Sequence, residues 1–346
     1  MKVAVIADTH FGARNDNRII QEHQFKFFEK VFFPVIDKLN IKHLLHLGDL
    51  FDKRQSIDIL TLKNVRENFL EPLRDRSVMM DVICGNHDTY YKTTNDVNTL
   101  EEVLNDYGVS VITQPQIRQL GKFGVLYIPW ISTNNVENTM HVIKQSNAKY
   151  VFGHLELQGF EHHLGHMATK GLDKSIFKKF DGVWSGHYHQ RSSQGNIEYL
   201  GAPYEMTWSD AGCLRGFGIF DTTSGVMTHI KNPLTLFEKI SYSDENDDFE
   251  CNKSFKDKFV RIKVLHKKDV AKFDRFRDDV EKQNPADLII DDISLEINDI
   301  ELNLDAENQD TISILKTEVD LLDIENKQKI HDIIIDLYVE ASDMKV

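Results

Sequence analysis

Val3-Ala4-Val5-Ile6-Ala7-Asp8-Thr9-His10 is the stretch that decides the fold. Five small or branched apolar residues in succession read as a strand, and Asp8 and His10 close it on either side of Thr9. A strand apolar at every position is covered on both faces. The same arrangement recurs along the chain. His43-Leu44-Leu45-His46-Leu47 leads into Gly48-Asp49-Leu50-Phe51-Asp52, and Val78–Cys84 leads into Gly85-Asn86-His87-Asp88. Tyr150-Val151-Phe152 leads into Gly153-His154, and 181–185 into Gly186-His187-Tyr188-His189.

Between the first strands lie helical patterns. Residues 18–39 carry an apolar face of Ile19, Ile20, Phe27, Phe28, Val31, Val35 and Leu39, with Pro34 as a point of kinking; 57–75 and 96–106 follow. Strands alternating with helices imply crossover connections and a largely parallel sheet. After Gly108 the rhythm shortens. Strands are expected at 109–113, 116–120 and 124–128, then a helix at 134–146, then strands at 191–194, 197–200, 216–221 and 225–230. Gly195-Asn196 and Thr223-Ser224-Gly225 supply turns, so this part predicts a second, more antiparallel sheet. The fold class is α/β: a two-sheet sandwich over 1–240 with ligand-bearing loops at one end, followed by a small α+β module and C-terminal helices.

Charge places the boundary near 240. Residues 241–346 hold 28 acidic against 15 basic side chains, whereas 1–240 are nearly balanced at 27 against 26. Histidine is skewed oppositely, only His266 and His331 of 15 lying beyond 240. A chain of net charge −14 lacks the positive field of a stand-alone DNA binder, so a nucleic-acid substrate would need bound cations and a partner. In 241–305, residues 243–252 read as a solvated connector, Phe259–Leu265 and Asp287–Ile290 as strands, and Lys268–Glu281 as a helix. Acidic 296–310 reads as exposed. The segment 306–346 repeats Ile312, Leu315, Val319, Leu322, Ile330, Ile333 and Leu337 at helical spacing, a face that either packs on its own domain or docks on a partner. No apolar run approaches the ~18 residues of a membrane span, and the chain begins in a strand, not in a secretion signal. Three scattered cysteines form no disulfide framework, which fits a reducing cytoplasm. Cys84 reads as a buried strand-end residue.

The strand ends pool Asp8, Asp49, Asn86 and the imidazoles of His10, His154, His187 and His189. Asp8 and His10, like His187 and His189, flank one residue, so each pair can face one way. Gly48 allows close approach to an ion, and an Asp49 carboxylate can bridge two. Mixed oxygen and nitrogen ligation suits Mn²⁺, Fe²⁺ or Zn²⁺ better than Ca²⁺. Two such ions about 3.5–4 Å apart bind opposite sides of a phosphodiester, and this is the chemistry the pattern indicates.

Asp8-x-His10, Gly48-Asp49-x-x-Asp52, Gly85-Asn86-His87-Asp88, Gly153-His154 and Gly186-His187-x-His189 stand in the order of the motifs of calcineurin-like metallophosphoesterases, which the chain resembles. Ala7–Gly12, Gly48–Asp52, Trp184–His189, Tyr199–Pro203 and Arg215-Gly216-Phe217 resemble the SbcD-type double-strand-break nuclease subunit. Gly153-His154-Leu155-Glu156-Leu157 and the compact length are most similar to the recombination-nuclease subunit of T-even-type bacteriophages. The motif match spans 8–221; over 241–346 the resemblance rests on length and layout. It implies one metal on Asp8, His10, Asp49 and His189, a second on Asp49, Asn86, His154 and His187, and Mn²⁺ as the metal of both. It implies a catalytic, non-ligating His87 that faces the scissile phosphate and helps protonate or stabilise the leaving oxygen, with Asp52 orienting it and Asp88 fixing the loop. DNA as substrate, 3′→5′ exonuclease action on duplex ends and endonuclease action on single strands follow from the same resemblance. So do a place in recombination or repair, an SbcC-type coiled-coil ATPase docked on 306–346, a homodimer and, for a phage-encoded chain, the host cytoplasm.

Two other classes compete. A phosphatase or phosphodiesterase acting on proteins or small molecules would use the same centre. Lys53, standing where related protein phosphatases favour Arg, points away from a phosphoprotein substrate. A non-catalytic DNA-end scaffold is opposed by the presence of every expected ligand type. Elsewhere, His43 and His46 read as packed strand residues. His162, His163 and His166 read as a solvated loop, with substrate or a third ion as the alternative. Lys53 and Arg54 are either surface charge or phosphate contacts, and Trp130 and Trp208 are loop aromatics able to stack on bases.

Overall fold

A computed structural model describes residues 1–163, 166–245 and 254–292, and the single helical positions Val319, Lys327, Ile330, His331 and Ile333. Acidic 296–310 and the remainder of 306–346 lie outside the described residues. The chain divides into two compact units, Met1–Ile240 with Cys251–Arg261 and Asp278–Ile289, and Ser241–Glu250 with Ile262–Arg277 and Ile290–Val346.

The first unit carries two six-stranded mixed sheets. One contains β1 (Lys2–Ile6), β2 (His43–His46), β3 (Met79–Ile83), β4 (Ser110–Ile112), β13 (Gly216–Asp221) and β14 (Met227–Lys231), in the order β14-β13-β1-β2-β3-β4. The other contains β5 (Gln116–Leu120), β6 (Phe123–Ile128), β7 (Tyr150–His154), β10 (Gly182–Gly186), β11 (Ser192–Gln194) and β12 (Ile197–Tyr199), in the order β11-β12-β10-β7-β6-β5. Between β7 and β10 a hairpin of β8 (Glu161–His163) and β9 (His166–Met167) holds the 162–166 histidines, whose side chains lie outside the described residues.

The continuous apolar strands are explained by burial on alternate sides. Ala4, Ile6, Leu44 and Val82 join a core of phenylalanines that includes Phe27, Phe28, Phe32 and Phe69. Val3, Val5, Leu45 and Ile83 point the other way, into a core shared with Tyr127, Phe152 and Trp184 of the second sheet. A third core, with Val151, Val183 and Ile143, covers that sheet's far side. The layers therefore run helix, sheet, sheet, helix.

Two helical expectations are modified in the same way. The first helix runs as α1 (Arg18–Phe27), a π turn at Phe28–Phe32, and α2 (Phe33–Lys38); the next as α3 (Ile59–Val65), a π turn at Arg66–Leu70, and α4 (Glu71–Asp75). In each, a proline (Pro34, Pro72) is the second residue after the π turn. Proline has no N–H and collides with the carbonyl four residues back, so the preceding N–H bonds five back instead, Phe33 to Phe28 O and Glu71 to Arg66 O. Asn17 and Asp58 cap the two N-termini by accepting backbone N–H bonds. Shorter helices are α5 (Thr99–Leu104) and α6 (Val136–Gln145).

The second sheet corrects the expected topology. Its central pairs β6–β7, β7–β10 and β10–β12 are parallel, and only its outer pairs β5–β6 and β11–β12 are antiparallel. The 216–231 strands leave it for the first sheet, where β13 runs antiparallel to β1, and β4 also joins the first sheet, parallel to β3. A strand not anticipated, β15 (Phe237–Ser243), runs through residue 240 and forms a three-stranded sheet with β16 (Phe259–His266) and β17 (Asp287–Asp292); α7 (Val270–Glu281) connects the last two. Within the second unit Tyr242 packs on Phe273 and Phe276 at 5.0 Å.

Because β1, β2 and β3 are mutually parallel, as are β7 and β10, each sheet presents its carboxyl ends at one edge. Ligand sites of α/β sheets lie outside such edges.

Candidate metal centre

Every motif residue expected at the centre stands at or just past one of those strand ends, His154 being the last residue of β7. Four of them, Asp8 (φ 54°), His10 (φ 41°), Asp49 (φ 54°) and His187 (φ 93°), have left-handed backbone. Each such residue costs on the order of 1–3 kcal/mol, which the surroundings must offset. The offset is visible. Asp8 N–H donates to Gly48 O at 3.1 Å and His10 N–H to Asp49 O at 3.1 Å. Gln24 Nε2 donates to both Thr9 O and His10 O, and Tyr204 Oη donates to Thr9 O at 2.6 Å. Asp88, fully buried, accepts N–H bonds from Asp49 (2.8 Å), Leu50 (3.0 Å) and Gly85 (2.8 Å), tying two motif loops together. Glycine is needed at two points of contact. A Cβ at Gly48 would lie 2.4 Å from His154 Nδ1, and one at Gly85 2.2 Å from Asp49 Oδ1.

The side chains converge. His10 Nε2 lies 2.9 Å from His189 Nε2 and 3.6 Å from Asp49 Oδ2. Asp49 Oδ2 is also 3.4 Å from His154 Nε2, and Asn86 Oδ1 lies 2.8 Å from both His154 Nε2 and His187 Nδ1. Asp8 Oδ1 accepts the His187 N–H at 2.9 Å, while its buried Oδ2 has no partner. Ligand atoms of Asp8, His10 and His189 lie within 4.8 Å of one another, as do those of Asp49, His154 and His187. Asp49 is central to the whole arrangement. A third such group, His10, Asp49 and His87, also meets this limit.

Charge supports cation binding. Burial pushes Asp8 up to about 7, and burial holds His187 at about 3 and His189 well below its ordinary value. His10 and His154 resist the same burial because the carboxylates of Asp49 and Asp8, with Asp52 on His10, raise both to about 9. Protons on His10 and His154 thus balance Asp49, which His154 keeps ionised, by its charge and its hydrogen bond, against the cost of burial. Divalent cations would take over that role. The orphaned Asp8 oxygen, the facing imidazole nitrogens and the shared amide oxygen all suit them. His154 Nδ1 donates to Leu47 O at 2.7 Å and His10 Nδ1 lies 3.1 Å from Asp52 Oδ1, the outer contacts by which metal-binding histidines are oriented.

Asp52 departs from its expected role in one respect. Its backbone carbonyl, not its carboxylate, accepts from His87 Nδ1, at 2.5 Å; the carboxylate faces His10. Lys53 pairs with Asp16 at 2.7 Å and Arg54 donates to Thr89 Oγ1 at 3.3 Å. His46 is buried against Thr9 Oγ1, and His43 pairs with Asp81. Cys84 is buried, which pushes its thiol well above the ordinary range and removes it as ligand or nucleophile. Trp208 packs on Phe237 and carries the Arg261 guanidinium 4.5 Å over its ring, whereas Trp130 lies 5.2 Å from the His187 ring. Arg215 is a contributor that motif spacing alone does not assign. Buried and paired with Asp210 at 2.6 Å, it donates to the backbone carbonyl of His189.

Residues 1–191 match the model of the calcineurin-like phosphoesterase family. Exonuclease subunit 1 of Enterobacteria phage T4 is 32% identical over 243 residues, covering 70% of this chain and 71% of that protein. The DNA double-strand break repair proteins Mre11 of Sulfolobus acidocaldarius and Sulfurisphaera tokodaii are 23% and 22% identical, over 59% and 54% of this chain. The chain spans about half the length of these two archaeal relatives, 54% and 48%. With the family model covering more than half of its residues, the chain belongs to the calcineurin-like phosphoesterases and is a metal-dependent phosphoesterase.

Proposed function

We propose that this chain is a two-metal DNA nuclease acting in recombination or repair, as the nuclease subunit of a complex with an SbcC-type coiled-coil ATPase. The observation that carries the reading is the convergence of two carboxylates, an amide and four imidazoles from five strand ends, within the family whose relatives include a phage exonuclease subunit and Mre11 proteins. One cation is assigned to Asp8, His10, Asp49 and His189, the other to Asp49, Asn86, His154 and His187, with Mn²⁺ preferred. When bound, the pair supplies Lewis-acid stabilisation of the phosphoryl charge and an acidified water.

The chain's own residues do the rest. Gln24, Tyr204 and Asp88 hold the loops in their left-handed turns, so ligand positions are set before substrate arrives. His87 donates Nδ1–H to Asp52 O, which leaves Nε2 for the scissile phosphate. Burial lowers its pKa, so it is neutral until the phosphate charge approaches. Nε2, unprotonated in the resting site, would take up the proton that the attacking water releases and pass it to the leaving oxygen. Exonuclease action 3′→5′ on duplex ends, endonuclease action on single strands, a homodimer, docking of the ATPase on 306–346 and the host cytoplasm complete the proposal. Among the described residues no helix is long and apolar enough to cross a membrane.

The test is a manganese-dependent assay on end-labelled duplex and single-stranded DNA, with and without a co-expressed ATPase. Metal-dependent release of nucleotides supports the reading. Hydrolysis of nucleotides with none of DNA, even with the ATPase present, would make the chain a small-molecule phosphodiesterase. Deleting 311–346 should spare hydrolysis of a small phosphodiester and abolish co-purification of the ATPase.

A further inference from the structure

Beside the metal centre is a cavity of about 240 Å³ that the mechanism above does not use. Trp130, Ser132, Thr133, Val136, Glu156 and Leu172 line it. Trp130 separates it from the metal ligands by one ring, since the indole lies 5.2 Å from His187 and 6.2 Å from His154. The walls are fixed. Trp130 N–H donates to Cys84 O at 2.8 Å, and Trp130 O accepts from Asn95 and Asn135, both at 2.9 Å. Opposite, Leu172 N–H donates to Glu156 O at 2.8 Å, an approach that glycine at 171 permits because a Cβ there would lie 2.5 Å from that oxygen.

One polar group in this wall awaits a partner. The partly exposed Glu156 carboxylate has no hydrogen bond or ion pair among the described residues. Among the described residues no lysine or arginine lines the cavity, which does not favour a phosphate there. Its volume is below the ~300–1,000 Å³ of sites for whole drug-sized ligands, which leaves room for a single ring system. A flat ring against an indole, with a carboxylate at its edge, is how a nucleobase is held.

We propose that this cavity is a base-binding subsite for the nucleotide next to the scissile phosphate, and that Glu156 makes it selective for bases that present amino and N–H donors. Guanine offers the carboxylate two adjacent donors, adenine and cytosine one exocyclic amino group each, and thymine an N–H flanked by two repelling carbonyls. The proposal rests on the nuclease reading for its substrate, but its test does not. Quenching of tryptophan fluorescence on titration with dGMP, dAMP, dCMP or dTMP, in Mg²⁺, keeps the phosphate contribution constant and varies only the base. Expected is at least about fivefold tighter binding of dGMP than dTMP, the low end for one bidentate base contact. Glu156→Gln should bring the four within about twofold of each other, because one amide replaces two acceptor oxygens. Val136→Phe, which fills the cavity from α6, should weaken all four bases while leaving inorganic phosphate unaffected. Equal affinities in the unaltered protein, or an unchanged ratio in Glu156→Gln, overturn the subsite. DNA cleavage with no base discrimination would remove the subsite alone; discrimination without DNA cleavage would remove the nuclease reading alone.

Discussion

Asp88→Ala is the substitution whose cost can be worked out most fully. The buried carboxylate accepts short backbone N–H bonds from Asp49, Leu50 and Gly85, and a long one from Phe51 at 3.5 Å, so its loss orphans at least the first three donors. At about 1–3 kcal/mol per buried unsatisfied donor, the gross loss is roughly 6 kcal/mol. Some of this is recovered. Burial, and after it the nearby Asp49, push the Asp88 pKa from 3.8 up to about 6, so holding the charge costs about 3 kcal/mol at neutral pH. The net expectation is a loss of about 3 kcal/mol, or about 6–12 °C in melting temperature for a domain of this size. The Asp49 loop should slacken as well, so affinity for Mn²⁺ should fall with stability. Asp88→Asn keeps one acceptor oxygen and sheds the charge, and should lose less than half as much. Circular-dichroism melting and calorimetric Mn²⁺ titration read the two effects. A melting temperature within about 2 °C of wild type, with unchanged affinity, would show that the loop holds itself without Asp88.

His87→Ala should keep near-normal metal stoichiometry by elemental analysis while losing about 10²–10⁴ in hydrolysis of a small phosphodiester; equal loss of metal and activity would move His87 into the ligand set. Asp52→Ala should behave differently, weakening Mn²⁺ binding by about 10–100-fold through His10. It should not reproduce the kinetics of His87→Ala, because the His87 contact is to main chain; identical kinetics would refute this division of labour. Burial, with Lys26 and Lys258 adding to it, holds His23 at about 4 against 6.5 unfolded. The unfolded chain therefore binds the extra proton between these values, so this contribution is complete above pH 6.5 and is lost as pH falls toward 4. In urea melts at a series of pH values, His23→Gln should flatten the acid slope by up to about 3 kcal/mol; a slope equal to wild type would mean that His23 is not the group responsible.

Much of the centre is legible in the sequence because its chemistry is local. A run buried on both faces followed by Asp-x-His or Gly-Asp needs no knowledge of partners, and parallel strands then bring their ends to one edge. Sheet membership is not local. Gly216–Asp221 is buried at all but its last position, so nothing in its own pattern says whether it pairs with β12 or β1. Helical period shows an apolar face but not an added residue; Pro34 and Pro72 mark where backbone bonding must change, yet only the resolved N–H partners reveal the π turns. The spacing from Asp49 to Asp52 brings Asp52 to His87, but not whether carboxylate or carbonyl makes the contact. Arg215 stands in a stretch that carries the family resemblance and Trp130 reads as a loop aromatic, but neither pattern shows that the guanidinium meets the His189 carbonyl or the indole the His187 ring.

Crystals of the protein soaked in MnCl₂ and measured at the manganese absorption edge test the central assignment most directly. Two anomalous peaks about 3.5–4 Å apart, with Asp49 between them and Asp8, His10 and His189 on one side of it, are predicted. A single peak, peaks lying away from Asp49, or none would contradict it.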